Sequence, residues 1–376
     1  MTRLPDFRLE TYFSRWEFAA RHHLTASDAQ TMSMAELLAL ADDEDRTAWD
    51  TLTLGYTETF GDPRLREAIA STYEHVGGDD VICFAGAEEA LYLAMQILLG
   101  PDDHAVVLTP NYQAAETVPA ALCAVTGVAL DPDRDWALDL DAVKAAIRPN
   151  TKVVSVNFPN NPTGKLIPVA DFAALAAMCD ERGIHLFSDE VYRGLEIDPN
   201  RTLDQAADLS AGALSLNVTS KSLGLPGLRI GWIACRDPET RAALEKAKHY
   251  TTICNAAPSE ILARIAIKAR TAILDRNRAL IAANLPVFDA FFARFADLFE
   301  FAHPDGGCVA YPRFRGPGDV ETLCRDLVAE AGVLLLPASI YRSELTATPA
   351  DRFRIGVGRA NPEPALAAFA AWLDDR

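Results

Sequence analysis

From about residue 62 onward the chain alternates short, β-rich apolar runs with stretches of helical periodicity, and this alternation limits the fold more than any other feature. The spacing predicts strands over Val81–Phe84, Ala105–Thr109, Gly127–Leu130, Lys152–Phe158, Ile184–Ser188, Ala213–Val218 and Leu228–Ala234. Between them it predicts helices over Ala87–Leu99, Ala114–Val125, Leu140–Ile147 and Val169–Arg182, with an earlier amphipathic helix opened by Pro63. Strands that alternate with helices in this way form an α/β domain around a mostly parallel sheet.

The flanking segments read differently. Phe7, Tyr12, Phe13, Trp16 and Phe18 make an aromatic arm, followed by a predicted helix over Ser33–Ala41. That arm is too short for a core of its own and must pack on something else. A helical region over Ser259–Phe295 reads as a connector. Beyond it, predicted strands Leu298–Ala302, Cys308–Phe314, Val333–Leu336 and Phe353–Val357 mix with helices Val320–Ala331 and Pro364–Leu373 in a smaller α+β unit. The expected division is an arm and part of the small domain over 1–45, a large domain over 46–265 and a small C-terminal domain over 266–376. There is no internal repeat.

A chain of 376 residues, 49% of them hydrophobic, can bury more than one core. Its net charge of −18 argues against nucleic acid or an anionic membrane as partner. The cysteines are scattered through apolar runs without a CxxC or HExxH spacing, so they read as reduced core residues and no metal site is expected. The adjacent His22 and His23 read as solvated side chains. The charged N-terminus has no apolar signal segment, and no run approaches the ~20 apolar residues of a membrane span. The expectation is a soluble, cytoplasmic protein.

In an open α/β sheet, ligands bind beyond the carboxyl ends of the strands. The residues that follow each predicted strand therefore carry the functional reading. Gly86, Ala87 and Glu88 start a helix whose backbone N–H groups suit a phosphate. Tyr112 offers a ring to stack on a flat ligand, and Asn161 a hydrogen-bond donor. Asp189, Glu190 and Tyr192 follow the next strand. Lys221 follows Ala213–Val218, before a glycine-rich turn through Gly224 and Gly227 that returns the chain to Arg229. A lysine in an apolar setting beside a cation has a lowered pKa and becomes an amine able to form a Schiff base. Arg229 has the planar fork that suits a phosphate. An aldehyde carrying a phosphate uses both groups.

Four segments in this order resemble the class I/II aminotransferases, pyridoxal-phosphate enzymes of fold type I. They are Gly55 to Arg66 (GYTETFGDPRLR), Asn160 to Gly164 (NNPTG), Ser188 to Tyr192 (SDEVY) and Ser220 to Gly231 (SKSLGLPGLRIG). The resemblance implies a large domain with a mostly parallel, mixed seven-stranded sheet plus a smaller α+β domain. It implies pyridoxal 5′-phosphate on Lys221, with Lys221, Asp189 and Tyr192 catalytic. Asp189 would keep the pyridine nitrogen protonated, and Tyr192 and Asn161 would bond the ring O3′. Tyr112 would stack on the ring, while Gly86, Ala87, Glu88 and Arg229 would hold the phosphate. Tyr56 would reach the phosphate of a neighbouring subunit, which implies a homodimer with shared sites. Arg354 is the best match for the arginine that binds the substrate carboxylate, with Arg352 and Arg359 as nearby alternatives.

The chain departs from the pattern at Val218, where relatives often place a hydroxyl, and at Pro337-Ala-Ser in place of Pro-Gly-Ser. The implied reaction is transfer of an α-amino group between an amino acid and a 2-oxo acid. The segment Leu223–Trp232 and the aromatic arm are also similar to those of capreomycidine synthase, which implies elimination and cyclisation as the alternative on the same cofactor. In the arm, Trp16 and Glu17 are the expected wall and polar contact if it lies across the site.

Overall fold

The computed structural model describes residues 4–376; the first three residues of the arm lie outside the described residues. The centre is a seven-stranded sheet. Its strands are β1 (Val81–Phe84), β2 (His104–Thr109), β3 (Ala124–Ala129), β4 (Thr151–Asn157), β5 (His185–Asp189), β6 (Leu214–Val218) and β7 (Gly231–Ala234). They lie in the order β1-β7-β6-β5-β4-β2-β3. Only β7 runs against its neighbours; every other pair is parallel. Such a sheet is covered on both faces, so its strands read as unbroken apolar runs rather than alternating ones. The β2 residues are buried throughout, as are all those of β4 except Lys152. The fold is therefore the mixed, mostly parallel seven-stranded sheet of fold type I, as expected.

Three predicted elements differ in extent. The helix expected over Ala114–Val125 ends at Ala120, and Ala124–Ala129 pairs as a strand with His104–Thr109. Val125, Thr126 and Val128 favour that ladder, where β-branched side chains pack well. The strand expected from Leu228 begins only at Gly231, because Pro226–Leu228 makes a 3₁₀ turn and Arg229 takes a left-handed conformation at φ 51°. The connector is two helices, Ala257–Lys268 and Arg270–Arg294, broken at Ala269. Helices over Asp43–Asp50, capped by the Asp42 carboxylate, and Pro238–Lys248, capped by that of Asp237, were among those not anticipated.

The C-terminal unit is built on an antiparallel trio in which Phe353–Gly356 lies between Val309–Ala310 and Leu336–Pro337. Phe291, Phe292, Phe299, Phe353 and Phe369 form its aromatic core. His22–His23 is half-buried and pairs in parallel with Val333–Leu334. For His23 this corrects the reading of a solvated side chain, since its ring bonds the Glu17 carbonyl at 2.7 Å and the Thr25 hydroxyl at 3.0 Å.

The arm contains helix α1 (Arg8–Trp16). Its Leu9 is buried in a core cluster that also contains Ile340 and Tyr341, with Phe7, Tyr12 and Phe13 packed against that cluster. Gln113 fixes its start, accepting from the Arg8 N–H at 2.9 Å and donating to the Asp6 carbonyl at 2.9 Å. Among the described residues, no helix is long and apolar enough to cross a membrane.

Candidate active site

The carboxyl ends of β1, β2, β4, β5 and β6 share one edge of the sheet, and a cavity of about 470 Å³ opens there. Ala87, Glu88, Tyr112, Asn161, Asp189, Tyr192, Lys221, Arg229 and Arg354 line it. Two other clefts, of about 500 and 510 Å³, are elsewhere on the surface; neither contains a lysine or gathers these strand ends.

Gly86 sits just behind the lining, at φ +102°. A Cβ there would stand 2.4 Å from the Arg229 Nη2, so only glycine leaves room for the guanidinium. Arg229 donates weakly to the Ala85 and Pro226 carbonyls, at 3.3 and 3.4 Å. Among the described residues it has no carboxylate partner. Beside it begins helix α2 (Ala87–Leu98), whose N-terminus has no side-chain cap. An unpaired guanidinium at the positive end of a helix is a place for an anion.

At the floor, the Asp189 carboxylate accepts from the Val191 N–H at 3.2 Å. Burial pushes its pKa up to about 7, against the pull of that N–H and of Lys221. Such a carboxyl lacks a cation. The Tyr192 hydroxyl is buried with the Ser27 hydroxyl in reach, yet has no partner of good hydrogen-bond geometry. Ser220 Oγ is likewise buried and unpartnered. Lys221 keeps an open face to the cavity, and its Nζ donates to Ser27 Oγ at 2.8 Å. Burial holds its pKa below the ordinary lysine value; Asp28 acts against this and Arg354 with it.

Arg354 is fully buried. It donates to Asn161 Oδ1 at 3.1 Å and to the Thr25 carbonyl at 2.6 Å, while its Nε has no partner. Arg352 lines a different cleft, stacked over Trp136, and Arg359 is held by Asp28. Of the arginines considered, only Arg354 faces Lys221. Tyr56 is 93% exposed and lies outside the cavity of its own chain.

The profile of the family described as aminotransferase class I and II matches residues 25–369. The chain belongs to this family. Capreomycidine synthase of Streptomyces vinaceus is 31% identical over 372 residues, 96% of this chain and 91% of the relative. A PLP-dependent aminotransferase from Streptococcus suis superposes with a TM-score of 0.91 at 25% identity, covering 100% and 99% of the two chains. The PLP-dependent cyclase OrfR does so at 0.89 and 26%, with the same coverage.

The cofactor of this aminotransferase-family chain is pyridoxal phosphate, and the cavity fits it. The orphaned hydroxyls of Tyr192 and Ser220, the uncompensated Asp189 carboxyl and the cradle that a Cβ at Gly86 would fill are groups in want of a phosphorylated, cationic ring.

The sequence reading missed several residues of this site. Ser27 was hidden because its irregular segment, between His23 and Ser33, carries no motif. Ser220 was noted, with Thr219, only as a hydroxyl near the position that Val218 leaves without one. Trp16 and Glu17 do not line the cavity; Phe7, Leu9, Glu10 and Phe13 do. The arm is helical from Arg8, so residues three and four apart share a face. Leu9, Glu10 and Phe13 look inward, whereas Trp16 is stacked under Arg15.

The raised pKa of Asp189 makes a stability prediction for the protein without cofactor. A carboxyl whose folded pKa of about 7 exceeds its unfolded value of 3.8 adds its stability fully below pH 3.8 and loses it as pH rises toward 7. Asn cannot ionise and has no such loss. Apo Asp189→Asn should therefore match the wild-type Tm near pH 4 and exceed it increasingly toward pH 7. Glu190 and Glu260, also raised to about 7, are common to both proteins and cancel in the difference. A Tm difference that stays flat across this range refutes the uncompensated Asp189.

Proposed function

We propose that this chain is an aminotransferase that moves an α-amino group between an amino acid and a 2-oxo acid. The observation that carries this is Arg354. Its buried, partly unsatisfied guanidinium faces Lys221 across the cavity, where an amino acid held by its carboxylate presents Cα to the amine.

In this reading Arg229 and the α2 N-terminus hold the phosphate, with Gly86, Ala87 and Glu88 contributing backbone N–H groups. Ser220 Oγ takes the place of the hydroxyl missing at Val218; the Thr219 hydroxyl faces away, bonded to the Ile230 carbonyl at 3.0 Å. Asp189 keeps the ring nitrogen protonated, and that positive charge brings its own pKa down. Tyr112, itself packed on Phe7 with ring centroids 5.2 Å apart, covers one ring face. Tyr192 and Asn161 bond the ring hydroxyl. When bound, the cofactor supplies an electron sink for the charge left at Cα. Lys221, whose ammonium form burial disfavours, would take the proton from Cα and carry it to the cofactor side. Arg354 receives the substrate carboxylate, and α1 helps close the mouth against water.

The reading extends to a two-fold dimer. Leu54, Tyr56 and Tyr250 are 85%, 93% and 88% exposed, an apolar surface that suits a second copy. Tyr56 would enter the partner's phosphate site.

Elimination with cyclisation is the second reading, favoured by the likeness to capreomycidine synthase and to a cyclase. Glu10 and Glu88 also line the cavity with no cation paired to either among the described residues, which suits a substrate with a basic side chain. One experiment separates the two. Amino acids are presented singly to the cofactor-loaded protein, the absorption band is followed, and products are identified with and without a 2-oxo acid. Transfer converts the cofactor to its amine form, and 2-oxo acid restores it while gaining the amino group. Products that form without any 2-oxo acid, with loss of a β-substituent, overturn the aminotransferase.

A further inference from the structure

We infer that Ser27 is a positioning residue that holds the amine of Lys221 whenever that amine is not bonded to the cofactor. The inference rests on the reading of Lys221 as the proton carrier. Lys221 Nζ donates to Ser27 Oγ at 2.8 Å, a contact between residues 194 apart in sequence. Ser27 lines the cavity, so the held amine stays on the substrate's side.

The hydroxyl is fixed because its backbone is. On one side the Ala29 N–H donates to the Lys221 carbonyl at 3.0 Å. On the other, the Leu24 carbonyl accepts from Gly356 at 2.8 Å and the Thr25 carbonyl from Arg354 at 2.6 Å. Asp28 grips Arg359 with both oxygens, at 3.2 and 2.7 Å. The Gln30 carbonyl accepts from Arg276 at 3.2 Å. A serine on so constrained a segment has little freedom beyond its own χ1.

A long lysine side chain has many rotamers, and confining it costs entropy at each turnover. Substrate binding frees the amine, which then has to stand over Cα rather than wander. A hydroxyl acceptor confines it, and it offsets a part of the burial that favours the neutral amine, since an ammonium donates more strongly than an amine. The other charged or titratable groups that act on the amine include Asp28, Arg354, Cys308, Asp189 and Glu88. All of them remain when Ser27 is changed.

Ser27→Ala and Ser27→Thr test this, with Tm as a control for folding. In the apo proteins, acetic anhydride labelling of Lys221 is followed against pH by mass spectrometry. In the loaded proteins, exchange of the substrate Cα proton with deuterated water is measured beside kcat and KM. Ser27→Ala should reach half-maximal labelling at a lower pH, slow exchange and kcat about tenfold, and leave KM unchanged. Ser27→Thr should restore all three. Equal labelling profiles and equal exchange rates in Ser27→Ala overturn the inference. Borohydride reduction of the loaded wild type separates this from failure of the parent reading: label on Lys221 keeps that reading, and label elsewhere removes both.

Discussion

Lys221→Ala should be inert, with turnover down by ~10²–10⁴-fold or more, and borohydride should fix no cofactor to it. In the wild type the same reduction should place the label on Lys221. Among the described residues, no other lysine lines the cavity. The inert variant also tests the shared site. If Tyr56 serves the partner, a mixed dimer of Lys221→Ala with Tyr56→Phe contains one site with neither change. Mixing the two proteins under conditions that exchange subunits should then raise activity above the sum of the separate variants. Additive activity, or a wild-type protein that is monomeric and fully active, defeats the dimer. Label on a different lysine defeats the assignment of Lys221.

Arg354→Lys should raise KM for the amino acid by about 10- to 150-fold, the loss of about 1.5–3 kcal/mol in hydrogen bonding to a charged carboxylate. Lysine keeps the charge but loses the fork, and it cannot reproduce the bonds to both Asn161 and Thr25. The label on Lys221 should be unaffected, because the arginine does not touch the phosphate cradle. Arg352→Lys is the control: that side chain serves the Tyr311 carbonyl and the face of Trp136, away from Lys221. Equal KM values for Arg354→Lys and wild type would remove Arg354 from the substrate.

The parallel sheet was legible because strands buried on both faces are rich in apolar, β-branched residues, as Val81–Phe84 and His104–Thr109 are. Errors gathered at ends and in short elements. Helix propensity carried the stretch after Gln113 too far, since the pull of the β2 ladder on Val125 and Thr126 is a tertiary effect. The break at Ala269 has no glycine or proline to announce it. At the site, the motif-bearing residues could be named because each follows a strand on the same sheet edge. Ser27 and Glu10 could not. They arrive from an arm whose place depends on Leu9 packing near Tyr341, more than three hundred residues away. Arg354 was preferred over Arg352 and Arg359 from its match to the family segment alone; what needed three dimensions is that, of the three, Arg354 lines the cavity with Lys221.

The segment from Leu24 to Gln30 is bonded at the same time to the lysine turn and to the strand that carries Arg354. It therefore acts as a tie-rod. A hinge movement that drew the C-terminal unit inward over a bound carboxylate would pull Thr25 with it, and Ser27 two residues on would press against the lysine. Grip on the substrate and aim of the base would be set by one stroke rather than two.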